Sequence, residues 1–163
     1  MATTRIVSIN EILGYFKTFQ EAHAQLTDFG YGPTSDIGTS VQMDFAYLWV
    51  THQSDSYIKI STNKTQIPEL KFVLLFMDQV NIQENFEGVN GENSNNGQEI
   101  ISDMFQVLQD CLADIISNWG TYGIMIAEDV RVYPAFDETN DAVNGWAAEV
   151  TFKLSHINCV MPT

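Results

Sequence analysis

A long amphipathic stretch in the second half of the chain, residues 97–119 (GQEIISDMFQVLQDCLADIISNW), constrains the fold more than any other part of the sequence. Its apolar residues recur every three or four positions, which predicts a helix with one broad apolar side. That side comprises Ile100, Ile101, Met104, Val107, Leu108, Cys111, Leu112, Ile115 and Ile116. Asp103, Gln106, Asp110 and Asp114 fall on the opposite side. Such a helix is not stable alone in water, so it must cover a sheet or another helix.

A second helix is predicted near the start of the sequence. Ser8 and Glu11 have the spacing of a capping box, in which each residue satisfies a backbone N–H of the first helical turn. The apolar residues that follow at helical spacing are Ile9, Ile12, Leu13, Phe16, Phe19 and Leu26. We expect this helix to end near Asp28, because the glycines and proline of residues 29–33 (FGYGP) break helices. Residues 33–40 are predicted to form a loop.

Strands are predicted where apolar and polar residues alternate. The predicted strands are residues 41–49, 57–61, 70–80 and 146–154, with further extended segments at 124–127 and 130–133. The first three strands follow one another through short links, which favours an antiparallel meander. The third contains the nearly continuous apolar run FVLLFM, so we expect both of its faces to be covered at least in part.

These elements predict a single α+β domain over residues 1–163, with an antiparallel sheet of about five strands and two main helices packed on one face. A long loop at residues 81–96 is rich in Asn, Gly and Glu. It is either flexible in the isolated protein or ordered against a neighbouring copy or partner. Asn90-Gly91 within it is also compatible with a tight hairpin turn. Residues 135–144 form a predicted acidic turn.

The charge of the chain is its most unusual bulk property. There are 21 acidic and 7 basic residues, a formal net charge of −14, and residues 81–163 hold 13 of the acids and 2 of the bases. This balance opposes direct binding to a nucleic-acid backbone and disfavours anionic membrane surfaces. Two interpretations remain: a solvated acidic surface that keeps the protein soluble, or a surface that lies near nucleic acid without holding it.

Motifs that carry chemistry are missing from the sequence. It contains no nucleophile elbow, zinc-protease motif, phosphate-binding loop or dinucleotide fingerprint in the right context. Adjacent carboxylates at 128–129 and 137–138 are expected in so acidic a chain, and residues 137–141 lack the glycine and terminal glutamate of a calcium-binding loop. Cys111 and Cys159 have no cysteine or histidine at metal-site spacing. We therefore expect no catalytic residues, no cofactor and no metal.

The end of the chain carries a family resemblance. Residues 145–152 (GWAAEVTF), followed by residues 158–162 (NCVMP), resemble the endings of small virion proteins of tailed phages, including neck and tail proteins of phages that infect Bacteroidetes. The predicted order of first helix, three strands, long loop, second helix and closing strands is similar to that of the tail terminator (tail completion) family.

The resemblance implies a structural role without catalysis. Members form a hexameric ring at the head-proximal end of the tail tube, which stops tube polymerisation and joins tail to neck while DNA passes through the lumen. An acidic lumen would repel phosphates and let the genome slide. We hypothesise that the channel-facing residues include Glu128, Asp129, Asp137, Glu138 and Asp141.

The resemblance also implies partners. The expected partners are identical copies in a ring, tail tube proteins and neck or connector proteins. The expected location is a virion that is assembled in the bacterial cytoplasm, and no contact with a membrane is expected. The candidate subunit-interface residues are Phe86, Tyr133, Phe136 and Trp146. Two alternatives stay open. In the first alternative, the chain is a head–tail adaptor or tail tube subunit. In the second, it is a small-ligand or peptide-binding α+β module with Trp49, Trp119 or Trp146 lining a pocket.

Overall fold

The computed structural model describes residues 8–37, 41–60, 66–80, 86–87, 93–94, 96–122, 124–126, 129–137 and 143–154. Helix α1 spans Ile9–Ala22 and helix α2 spans Gly97–Tyr122. The strands are β1 Asp28–Tyr31, β2 Tyr47–His52, β3 Tyr57–Ile60, β4 Gln66–Gln79, β5 Phe86–Glu87, β6 Asn93–Ser94, β7 Ile124–Ile126, β8 Arg131–Asp137 and β9 Val143–Leu154. The predicted α+β class is confirmed.

Two long antiparallel strands, β4 and β9, form the centre of the main sheet. They pair from Glu69 opposite Lys153 to Gln79 opposite Val143. In the described part of the chain, β2 and β3 lie end to end along one side of β4, and β7 and β8 lie end to end along the far side of β9. Strand β1 pairs with β2 in parallel, while the other pairs are antiparallel. The sheet is therefore about five strands wide, as predicted, but mixed.

The predicted meander of three strands is wrong. Strands β2 and β3 both pair with β4 and not with each other, because His52 lies opposite Phe72 and Tyr57 lies opposite Glu69. The short link at residues 53–56 therefore makes a bulge rather than reversing the chain, with four residues facing two on β4.

The end of α1 was also predicted wrongly. The helix ends at Ala22 rather than near Asp28, because His23 adopts an extended conformation and its backbone N–H closes the last turn on Phe19 and Gln20. Residues 29–31 of the segment that was predicted to break the helix belong to β1. Within it, Gly30 lies so close to the Trp49 ring that an added Cβ would come within 2.2 Å of it.

Other boundaries shift by a few residues. The first predicted strand begins only at Tyr47, where pairing with β1 and β4 starts. In the predicted loop at 81–96, β5 and β6 pair as an antiparallel hairpin, with Phe86 opposite Ser94, while Asn90-Gly91 lies outside the described residues. The predicted helix start is confirmed with Ser8 as the N-cap: its hydroxyl accepts a hydrogen bond from the Glu11 N–H at 3.3 Å and donates one to the Glu11 carboxylate at 2.9 Å.

Both helices pack on the same face of the sheet, here called the helical face. The core there joins residues of α1 and α2 to alternate residues of the central strands; its largest sheet members are Leu48, Phe72, Leu74, Phe76, Val150 and Phe152. The opposite face, here called the open face, holds a smaller cluster in which Tyr47, Trp49 and Met77 pack against residues that include Met43 and Phe45. The predicted packing of both helices on one face is confirmed.

We predict that Gly145→Ala destabilises the protein strongly. A Cβ at this position would meet the carbonyl oxygen of Phe76 at 1.8 Å, so β9 would have to move away from β4 at the centre of the sheet. The expected loss is about 2 kcal/mol or more in the free energy of unfolding, measured by urea denaturation.

The matched control is Gly14→Ala in α1. Nothing lies within 4 Å of a Cβ added there, so the change should stabilise the exposed helix by about 0.5–1 kcal/mol. Equal stability of the two variants would show that β9 tolerates a side chain at Gly145.

Candidate functional site

The two faces of the sheet carry different charges. Strand register places Lys59, Lys71, Arg131 and Lys153 on the open face, and these are four of the seven basic residues in the whole sequence. They alternate along their strands with residues of the helical face, because successive strand residues point to opposite sides. The fold thereby keeps most of the few cations away from the helices.

One side of α2 is acidic along its length. The helix contains Glu99, Asp103, Asp110 and Asp114 and no lysine, arginine or histidine. Residues at these spacings fall on one stripe of a helix. The first three carboxylates are exposed, and Asp114 is half-buried. We call these four residues the α2 acidic stripe.

Asp78, near the end of β4, lies close to the α2 acidic stripe. Partial burial raises the pKa of its carboxyl above the ordinary value, and the charge of Asp103 raises it further. A nearby like charge disfavours ionisation of a carboxyl. The acidic surface thus extends from the helix onto the end of the sheet.

A polar contact fixes α1 against the α2 acidic stripe. The Tyr15 hydroxyl donates a hydrogen bond to Asp114 Oδ2, and Asn118 Nδ2 donates to Asp114 Oδ1 at 2.9 Å. Burial and the adjacent carboxylate both raise the pKa of Tyr15, so the phenol stays a donor across the physiological range. The contact links the two helices on the helical face.

On the open face, Glu69 ties β3 to β4. Its carboxylate is 4% exposed and accepts hydrogen bonds from Lys59 Nζ at 2.8 Å and from the Tyr57 hydroxyl at 2.5 Å. The bond from Lys59 and then that from Tyr57 hold the pKa of Glu69 below its ordinary value. Both donors belong to β3, so this network stabilises a strand whose own residues are all exposed.

Two of the five predicted channel-facing carboxylates, Asp129 and Asp137, belong to the described residues. Asp129 precedes the strand and is exposed, and Asp137 is the last residue of the strand. Glu128, Glu138 and Asp141 lie outside the described residues. Their orientation toward a channel stays a prediction.

Three of the four predicted interface residues lie in or near the β8–β9 hairpin. Tyr133 is half-buried on the open face, with the Arg131 guanidinium 5.5 Å from its ring centre. Phe136 is 61% exposed, the highest exposure of the predicted set whose side chains the structure describes. Phe86 lies in β5, where only the backbone is described.

Trp146 is half-buried and makes internal contacts. Its indole N–H donates to the Ile101 carbonyl at 2.8 Å, and its ring packs against Phe105 with centres 4.8 Å apart. Trp49 is fully buried, and its indole N–H donates to the Gly32 carbonyl at 3.0 Å. Both tryptophans proposed as pocket residues are therefore occupied by internal contacts, and the Trp119 side chain lies outside the described residues.

An open cleft of about 480 Å³ lies beside the end of β2. It is lined by Tyr31, Gly32, Pro33, Thr34, Thr51 and His52. His52 Nε2 is 3.0 Å from the Ser56 hydroxyl.

Within the described ranges, no three His, Cys, Asp or Glu side chains are grouped as metal ligands. No helix in the described part of the chain is long and apolar enough to cross a membrane.

Neither a protein-family model nor a curated protein matches this chain.

The α2 acidic stripe could be partly read from the sequence, since Asp103, Asp110 and Asp114 fall opposite the apolar side of the predicted helix. The positions of Lys59 and Arg131 on the open face could not. They depend on the bulge between β2 and β3 and on the pairing of β8 with β9.

We predict that Glu69→Gln reduces the sensitivity of the protein to acid. A carboxyl with a lowered pKa in the folded state stabilises the fold above its ordinary pKa of 4.5, and this stability is lost as the pH falls through the lowered value. The variant should be less stable than wild type at pH 7, and its stability should fall less between about pH 5 and pH 3.

The measurement is the free energy of unfolding in urea at several pH values. Glu99→Gln, on the exposed side of α2, is the matched control and should keep the wild-type pH dependence. An unchanged acid response in Glu69→Gln would show that the Tyr57 and Lys59 bonds do not stabilise the fold.

Proposed function

We propose that this protein is a structural ring subunit of a tailed-phage virion, a tail terminator that joins the tail tube to the head connector. The observation that carries the proposal is the separation of charge between the two faces of one sheet. The α2 acidic stripe contains no base, whereas four basic residues lie on the open face. Support comes also from the resemblance of the chain's ending and element order to that family.

Such an arrangement suits a wall past which a polyanion must move. Identical copies in a ring would bring several acidic stripes around one lumen, and their combined field would repel phosphates. The repulsion acts over about 8–10 Å at physiological ionic strength, so it reaches DNA that fills a narrow channel. A wall carrying lysines would bind the backbone instead and slow its passage.

We place the wall of the channel on the helical side of the sheet. The α2 acidic stripe runs from Glu99 to Asp114 in a helix that contains no base, and it meets α1 at Asp110, which is 3.5 Å from His23, and at Asp114. The flanks of β8, which contain the five carboxylates predicted from sequence, are interrupted by Arg131 on the strand itself. They are the second candidate for the channel wall.

A rigid wedge, rather than a reactive centre, is what this function requires. Tyr15 and Asp114 hold α1 to α2, and the helical-face core holds both helices to the sheet. A head–tail adaptor or a tail tube subunit would use the same charge separation. The number of stacked rings distinguishes these roles: many rings would indicate a tube subunit, and one or two rings would indicate a terminator. The cleft beside β2 is the one observation that favours a small-ligand module.

The test of the proposal is the assembly state of the purified protein. Native mass measurement and negative-stain images should show closed rings with a central hole, either alone or after mixing with tails that lack their own terminator. A protein that stays monomeric in both settings and does not bind tail ends would contradict the proposal.

We predict that charge reversal on α2 turns the ring into a DNA-binding ring. In Asp103→Lys/Asp110→Lys, each subunit replaces two lumen carboxylates by two amines, so linear duplex DNA should be held at about 50 mM salt and released at about 200 mM. Fluorescence anisotropy of a labelled duplex measures this binding.

A duplex blocked at both ends by a bulky protein separates lumen binding from binding to the outside, because threading needs a free end. Blocking should abolish binding by the α2 variant. Asp129→Lys/Asp137→Lys, with the same change in charge, is the matched control. If only this control variant binds end-dependently, the channel is lined by the flanks of β8 instead.

A further inference from the structure

Strand β3 is attached to the sheet without burial of its own side chains. All four of its residues are exposed, with Ile58 at 58% and Ile60 at 74%. Within the described residues, β3 pairs only with β4. Burial of apolar surface, which stabilises the centre of the sheet, therefore contributes little to keeping this strand in place.

The part of β4 that faces β3 has little support from the rest of the sheet. The pairing of β4 with β9 begins at Glu69, so in the described structure residues 66–68 pair with β3 alone. Pro68, opposite Ile58, has no backbone N–H to donate. The ladder between the two strands is therefore four residue pairs long and lacks the donor at Pro68. Regions of this kind open locally at a lower free energy than the core does.

Side-chain bonds to one carboxylate hold β3 in place. Glu69, which is 4% exposed, accepts hydrogen bonds from Lys59 Nζ at 2.8 Å and from the Tyr57 hydroxyl at 2.5 Å. One acceptor thus fixes two positions of the strand. Hydrogen bonds to an ionised group are stronger than those between neutral groups. The attachment of β3 therefore depends on the charge of a single residue.

The bulge that precedes β3 is anchored separately. The Gln53 N–H donates to the Lys71 carbonyl at 2.9 Å, and the Lys71 N–H donates to the Ser56 hydroxyl at 2.9 Å. Lys71 Nζ also forms an ion pair with Asp55. None of these contacts involves Glu69, so they persist when β3 separates from β4. They place the start of a movable segment after Ser56.

We propose that β3 is a movable edge strand, which separates from β4 about the anchored bulge while the rest of the domain stays folded, and that Glu69 controls this opening. The opening releases the Glu69 carboxylate from both of its donors and uncovers the backbone edge of β4 at residues 66–69. It requires no change in the pairing of β4 with β9, because β3 pairs with no other strand in the described structure.

Acid should favour the open state. The groups that face Glu69 are Tyr57 and Lys59 on β3 and Lys153 on β9, and the bonds from Lys59 and then Tyr57 hold the pKa of Glu69 below its ordinary value of 4.5. A carboxyl with a lowered pKa stabilises the closed state above pH 4.5, and this stabilisation is lost as the pH falls through the lowered value. Protonation of one side chain therefore shifts the strand toward opening.

Hydrogen exchange followed by NMR at pH 7 tests whether β3 opens alone. The slowest β3 amide should be protected at least about a hundredfold less than the amides of Leu74 and Val150 at the centre of the sheet. Urea below the unfolding transition should reduce the protection of the central amides and leave that of β3 nearly unchanged, because a local opening exposes little surface. Equal protection and an equal urea response would show that β3 opens only with the whole domain, which would overturn the inference.

The second measurement compares Glu69→Gln with Glu149→Gln. Both variants replace an open-face carboxylate by an amide, but Glu149 lies 3.8 Å from Arg131 at the opposite edge. Glu69→Gln should lower the protection of β3 by about tenfold at pH 7, and Glu149→Gln should leave it unchanged. The same loss in both variants, or no loss in Glu69→Gln, would contradict control of the strand by Glu69.

Acid titration of the same amides completes the test. Between about pH 5 and pH 3, the protection of β3 in the wild-type protein should fall toward that of Glu69→Gln, which has no carboxyl to protonate at this position. Tyr57→Phe keeps the ring and removes one donor, so it should open more readily than wild type and keep the acid response through Lys59. NMR spectra of each variant check that the domain is folded. Parallel pH curves for wild type and Glu69→Gln would overturn the inference.

Discussion

The pairing of β4 with β9 is the interaction on which the rest of the structure depends. These strands come from distant parts of the sequence, with α2 between them, and they are paired from Glu69–Lys153 to Gln79–Val143. In the described structure, each remaining strand of the main sheet attaches to one of the two, either directly or through β2. Their helical-face residues, such as Phe72 and Phe152, are fully buried, and each such side chain contributes about 1.5–3 kcal/mol through burial.

The same pairing connects the fold with the distribution of charge. Because successive strand residues point to opposite faces, residues that alternate with the buried Phe72 and Phe152 must lie on the open face. Lys71 and Lys153 occupy such positions and cannot reach the helical side. Burial of the apolar face therefore separates most of the basic residues from the carboxylates of α2, and the acidic surface follows from the way the core is built.

The edges of the sheet show how one subunit can be stable and still expose apolar side chains. Burial in the centre stabilises the domain, so β3 and β8 contribute less to its core. At one edge Glu69 accepts hydrogen bonds from β3, and at the other Arg131 lies 3.8 Å from Glu149 on β9. Such strands can present apolar side chains to another molecule without loss of the fold.

The sequence by itself determined the α+β class, the two helices and the side of each that is buried, because local spacing and capping residues report these directly. It also determined the net charge and the acidic side of α2. The strand β1 was decided only by the tertiary structure, since the FGYG segment becomes a strand where Gly30 fits against the Trp49 ring. The end-to-end order of β2 and β3 along β4 was decided in the same way. Strand register and edge position depend on residues far apart in the chain, so the separation of charge between the two faces and the exposure of Ile58, Ile60 and Phe136 appear only once the strands are paired.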